Sequence, residues 1–220
     1  MIIEGLLVTE RDDGSPHVAP MGPVVNAELT QWTLRPFQSS MTFAMLRARP
    51  TCIFHVVDDV LPVAQAALGL PVELEFQAHP TSGWIIASAC HWYQLAIQQW
   101  NVSAPRSEAQ AIVTNQGTLR PFWGWNRAKH AVLEAAILAT RVHLLQREVL
   151  QSDLARLSSA VDKTAGPRER QAWDLVVAYI RRECDTTLPD GLARDGLTPK
   201  LTEVAQPAKP VSGTARKQTL

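Results

Sequence analysis

Between residues 2 and 89 the chain carries six short apolar or β-branched runs, interrupted by only two short helical patterns. The runs fall at 2–9, 17–25, 31–34, 52–57, 72–78 and 84–89. Asp12-Asp13-Gly14-Ser15-Pro16 turns the first run back on the second. Pro20 and Pro23 in the second cannot donate to a ladder, which predicts an edge, a bulge or a break there. Of the two helices, one is predicted over 41–49, after Ser39-Ser40 and before Pro50; the other, over 62–68, has Pro62 in its first turn and Gly69 past its end. Parallel neighbours in a doubly wound sheet need longer crossover helices, so this spacing predicts an antiparallel barrel.

After Gly117 the pattern changes. Ala131, Ala135, Leu138, Val142, Leu145 and Val149 recur at three- and four-residue spacing, and no Gly or Pro interrupts residues 125–157, which predicts one long amphipathic helix. Gly166-Pro167 closes the connector, and a second helix is predicted over 168–184. Beyond Asp185 the composition of Pro, Gly, Thr and Lys predicts a flexible tail. The expected organisation is therefore α+β: a barrel over 1–118, a helical subdomain of two helices over 119–184 packed on it, and a tail over 185–220.

Charge and cysteine content narrow the function. With 21 basic and 21 acidic side chains the chain lacks the cationic excess that nucleic-acid binding requires. Its three cysteines are widely spaced and form no CxxC pair, which argues against a disulfide framework or a structural zinc site. There is no basic, apolar leader and no run of 18 apolar residues, so a cytoplasmic protein without membrane contact is expected. GxSxG, HExxH, GxxxxGK[ST] and GxGxxG are all missing, which leaves hydrolase and P-loop readings unsupported.

Two segments offer chemistry. In Arg35-Pro36-Phe37-Gln38-Ser39-Ser40-Met41-Thr42, a guanidinium, hydroxyls and a helix start together suit a phosphate. The same residues also suit a helix cap beside a solvated arginine. In Trp123-Gly124-Trp125-Asn126-Arg127-Ala128-Lys129-His130, Asn126 is a good cap, but Arg127 and Lys129 stand at the helix end that disfavours cations. Either an anion compensates them or solvent does. Asp58-Asp59 suits a cap for the second short helix or a carboxylate pair, and His55 reads as a core histidine rather than a metal ligand.

Several motifs carry a family likeness: Glu4-Gly5-Leu6, Val18-Ala19-Pro20-Met21-Gly22-Pro23, Leu34-Arg35-Pro36-Phe37, Phe54-His55-Val56-Val57-Asp58-Asp59-Val60, and Asn126 to Val132 followed by Glu134 to Leu138. Over about residues 1–184 the chain resembles domain-of-unknown-function family 447, found in archaea and in bacteria that include carriers of methanopterin-linked one-carbon genes. The resemblance implies an FMN-binding split barrel akin to flavoredoxins and flavin reductases. It further implies a homodimer with FMN between subunits and an oxidoreductase acting on a small-molecule substrate; a non-catalytic homodimer carrying a pterin or other anion is the alternative. Carried over by position, Arg35, Ser39, Ser40 and Thr42 would hold the phosphate and ribityl chain. The backbone of Pro20, Met21 and Gly22 would lie near the ring, with Asn126 and Lys129 approaching from the helices. Related barrels often have Asn where this chain has Met45, so a carboxamide is replaced by a thioether.

Overall fold

The computed structural model describes residues 1–102 and 106–186. Seven of its strands, β1 (Gly5–Glu10), β2 (Pro16–Met21), β3 (Val24–Val25), β4 (Gln31–Leu34), β5 (Thr51–Val56), β8 (His91–Asn101) and β9 (Glu108–Thr118), form one curled antiparallel sheet in the order β2-β1-β5-β8-β9-β4-β3. The remaining two, β6 (Phe76–Ala78) and β7 (Trp84–Ile86), pair with each other. The half-barrel closes through its own N-terminus. Val25 N–H donates to the Met1 carbonyl at 2.8 Å and Ile3 N–H to that of Pro23 at 3.2 Å, so residues 1–3 run along β3 before the chain crosses to pair with β2 and β5. That crossing needs Gly5, because a Cβ there would collide with the His55 carbonyl and the Phe54 ring.

Alternation along the strands puts Leu7, Trp32, Leu34, Phe54, Tyr93 and Leu95 inside, where the Trp32 ring lies 5.0 Å from both Phe54 and Tyr93. His55, which alternates with Phe54, is fully buried on the other face of the sheet, beside Leu6 and Ile86. Its Nδ1 donates to the Leu6 carbonyl at 3.4 Å and its Nε2 accepts from Ile86 N–H at 3.1 Å, so the neutral ring ties β1, β5 and β7 together. Burial pushes its pKa down to about 4. The reading of His55 as a core histidine holds.

The helices are α1 (Met41–Ala48), α2 (Val60–Ala67), α3 (Arg127–Ala139), α4 (Arg147–Thr164) and α5 (Pro167–Thr186). Small alanines on α3 (Ala128, Ala131, Ala135, Ala139) let it sit close to α2, α4 and α5 around Leu61, Val132, Val161, Trp173 and Val176.

Three expectations need correction. The long helix over 125–157 is two helices, and the helical region over 119–184 holds three, not two. The chain leaves α3 at Thr140, whose hydroxyl donates to the Ile137 carbonyl at 2.8 Å, and makes one 3₁₀ turn (Val142–Leu144) before α4. Val149, placed on the apolar stripe, is 44% exposed, while Leu150 is buried. The run over 72–78 is strand only at Phe76–Ala78. The β8–β9 hairpin, with 11 residues in each strand, lies wholly beyond the six predicted runs. The tail expected over 185–220 lies, from residue 187 on, outside the described residues. Among the described residues no helix is long and apolar enough to cross a membrane.

Candidate functional site

The first site lies where β4 hands over to α1. Leu34 is buried and ends the strand; Pro36 follows, its carbonyl accepting from Ser107 N–H (3.2 Å) and the Ser107 hydroxyl (3.0 Å), which pins the turn to the start of β9. Between them Arg35 faces outward, its Nε 3.2 Å from the Glu108 carboxylate, with side chains 44% and 38% exposed. An ion pair this open is worth about 1 kcal/mol or less, so a dianion can compete for the guanidinium.

Ser40 is the N-cap of α1: its hydroxyl oxygen accepts from Phe43 N–H at 3.2 Å while its O–H donates to the Phe37 carbonyl at 2.7 Å. The cap takes one first-turn donor and leaves the N–H groups of Met41 and Thr42 outside the helical ladder. Ser39 is exposed. Thr42 is buried, with its hydroxyl 3.4 Å from His17 Nε2. The other ring nitrogen of His17 faces Arg11 at 3.4 Å, and burial together with that guanidinium lowers the His17 pKa. Met45, in the place of the usual Asn, accepts the Thr9 hydroxyl on its sulfur at 3.1 Å, so it braces α1 against β1.

The second site is a cleft of about 380 Å³ at the opposite end of β1. Thr9 meets α1 and Gly5 lines the cleft, four residues or about 13 Å away along the strand. Val57, Val60, Val63 and Leu133 make its apolar wall, and Phe122 and Trp125 its rim. Asp58 and Asp59 diverge as they leave β5. Asp59 caps α2 through Leu61 N–H at 3.0 Å and pairs with Arg168 at 2.6 Å. Asp58 binds Arg120 through both oxygens, one contact being 2.8 Å from Nη1, and accepts Trp123 N–H at 3.3 Å. The guanidinium holds the Asp58 carboxyl down to about 2 and fixes the strand-to-helix segment that carries the aromatic rim.

At the start of α3, the Asn126 carboxamide oxygen accepts from Ala128 N–H (2.8 Å) and Lys129 N–H (3.1 Å), while its nitrogen donates to the Thr164 carbonyl at 3.0 Å. Lys129 stands 3.8 Å from Glu169, whose other oxygen accepts Gly166 N–H at 2.9 Å. The misplaced cation at Lys129 thus has a compensating anion, and it comes from α5. Glu4 borders the cleft from the β1 side; burial, with Glu134 nearby, raises its pKa. Gly22 packs against Glu4 so closely that a Cβ on it would sit 2.8 Å from the carboxylate.

The predicted residues therefore form two sets. Asn126 and Lys129 line the cleft, Gly22 adjoins it through Glu4, and Met21 packs against the cluster around Trp32 and Phe54. Arg35, Ser39, Ser40 and Thr42 gather at the start of α1, and none of them lines the cleft. Four residues that matter here went unassigned in the sequence: Glu108, Arg120, Glu169 and Glu4. Arg120 had a pointer in the repeated Leu-Arg-Pro-Phe, at 34–37 and 119–122. Glu169 had none, because its partner lies on another helix.

No curated protein matches the chain. In fold it is similar to MM1853, an FMN-bound protein of Methanosarcina mazei, at 23% identity and TM-score 0.70, over 81% of this chain and 94% of that one. The styrene monooxygenase flavin reductase of Pseudomonas putida S12 is similar at 12% identity and TM-score 0.47, over 54% of this chain and 80% of that one. Residues 3–119 match the model of the N-terminal domain, and residues 126–178 that of the C-terminal part, of one family of proteins of unknown function. The chain belongs to that family, DUF447.

Proposed function

We propose that this protein binds FMN non-covalently and acts in the cytoplasm as an oxidoreductase on a small molecule, as a homodimer with the flavin between subunits. The observation that carries this reading is the corner at the start of α1. There the exposed Ser39 and the N–H groups of Met41 and Thr42, outside the helical ladder, follow within seven residues of Arg35, whose one ion pair among the described residues is with an exposed carboxylate. That donor set fits a phosphate monoester. Ser40 and Thr42 support the corner from behind, as cap and as buried contact to His17. The barrel over 1–118 would carry the cofactor, with the helices over 119–184 forming a wall beside the ring. The FMN bound by MM1853 supports the cofactor choice.

When bound, FMN supplies a ring that accepts and donates hydride or single electrons. This chain's own task is to hold the phosphate, to set the ring beside the Met21-Gly22 backbone and to keep water from its face. No nucleophile or general base is needed for that. The test is the absorption spectrum of the purified protein, together with tryptophan fluorescence on titration with FMN. A flavin spectrum, or saturable quenching at one FMN per chain, supports the reading; neither signal up to millimolar FMN overturns it. Sedimentation of the FMN-loaded protein tests the dimer.

A further inference from the structure

We propose that the cleft at the Gly5 end of β1 is a separate binding site for the flavin's reaction partner, a planar fused-ring heteroaromatic with N–H donors on one edge and a carbonyl or oxyanion on another. Only the description of the occupant as a reaction partner rests on the FMN reading.

Size comes first. About 380 Å³ is small-molecule scale, and the wall of Val57, Val60, Val63 and Leu133 excludes water from a flat body without polar atoms on its faces. The rim supplies flat surface. Trp125 is 99% exposed, its ring set edge-on to Phe122 at 6.2 Å and 72°. It projects from a segment fixed on one side by Asp58–Arg120 and on the other by the Asn126 cap, with the chain turning through Gly124 at φ +90° between them. An indole this exposed, met by Phe122 only edge-on at the mouth of an apolar cleft, offers flat apolar surface on which a planar ring can stack.

The polar groups differ from one side to the other. Glu4 enters from β1; its ionised carboxylate is an acceptor with no donor and suits a pair of adjacent N–H donors. Arg127 enters from α3 and suits an oxygen, since it makes no ion pair among the described residues; Lys129, on the same helix, is already paired with Glu169 at 3.8 Å. Asn126, by contrast, spends its carboxamide on the helix. Gly5, which lines the cleft, and Thr9, which meets α1, are about 13 Å apart along β1, and Gly22, beside which the flavin ring would rest, adjoins the cleft through Glu4. The cleft is therefore the neighbour of the ring's position.

The test is calorimetric titration of the full chain, FMN-free and FMN-loaded, with 2-aminoquinazolin-4(3H)-one and with quinazolin-4(3H)-one, which lacks the amino donor. The expected result is one binding event for the amino compound in both forms, with the parent binding roughly ten-fold more weakly. Glu4→Gln should bring the two compounds to within about three-fold of each other, and Trp125→Ala should weaken both by roughly ten-fold while leaving FMN affinity unchanged. Trp125 is exposed, so its removal does not threaten the fold. No binding to either form, one-for-one displacement by FMN, or equal affinities in wild type and both variants would each overturn the proposal. A protein that takes the bicycle with this dependence but never takes FMN would leave the ring site standing and remove the flavin reading alone.

Discussion

The tetrapeptide Leu-Arg-Pro-Phe occurs twice, once from the last residue of β4 and once directly after β9, and its two arginines do different work. Arg35 makes one contact, at 3.2 Å, to a carboxylate that is 38% exposed. Arg120 grips both oxygens of Asp58, which is 7% exposed, and its Nε donates to the Ser88 carbonyl at 3.0 Å. The residue type and its immediate neighbours in sequence are the same in both places. What differs is how far the acid has been taken out of water. A buried acid cannot release its cation without leaving a bare charge in the protein; an exposed one can. Arg120 is therefore structural, and Arg35 is available to a ligand.

The largest effect expected from this contrast is on stability. Arg120→Ala should lower unfolding free energy by about 3 kcal/mol in chemical denaturation, since it strands a nearly buried carboxylate, and FMN affinity should change little. An Arg120→Ala protein as stable as wild type would erase the distinction.

A similar magnitude, spread over pH, should come from the frame that holds both segments. His55 has a folded pKa of about 4 against 6.5 for an ordinary histidine. The unfolded chain takes up the proton first as pH falls, so the stabilisation is complete above 6.5 and is lost as pH drops toward 4. The loss is roughly 3 kcal/mol over that window. Denaturant midpoints from pH 7.5 to 4.5 check it, and His55→Gln should flatten the slope.

Arg35→Ala should shift the balance the other way. FMN affinity should fall roughly 10- to 100-fold, the scale of a charged hydrogen bond, while apo stability stays within about 0.5 kcal/mol of wild type. Collapse of apo stability would place Arg35 with Arg120. The smallest effect sharpens the point. Glu108→Gln removes the competitor for Arg35 and should tighten FMN binding by about two- to five-fold in fluorescence titrations.

Local chemistry explains which parts of this were legible in the sequence. Ser40 and Asp59 cap α1 and α2, Asn126 caps α3, and Pro167 opens α5; each of these ends is set by one side chain and its nearest backbone. The break at Thr140 was not legible. α3 and α4 bury their apolar faces in the same core, so the three- and four-residue spacing runs on through the turn without a Gly or Pro to mark it. The β8–β9 hairpin was muted by Gln, Asn and small residues, because much of β9 is exposed. At the sites, residue types were legible and their partners were not. Asp58 and Asp59 are adjacent, yet they bind arginines 62 and 109 positions away.

The central claim is that a phosphate docks beside Arg35, and a comparison of FMN with riboflavin tests it most directly, because the two differ only in that group. In isothermal titration of the wild-type protein FMN should bind at least roughly ten-fold tighter than riboflavin, and Arg35→Ala should erase most of that gap without altering riboflavin affinity. Equal affinities for the two flavins in wild type, or a gap that survives Arg35→Ala, would contradict the account.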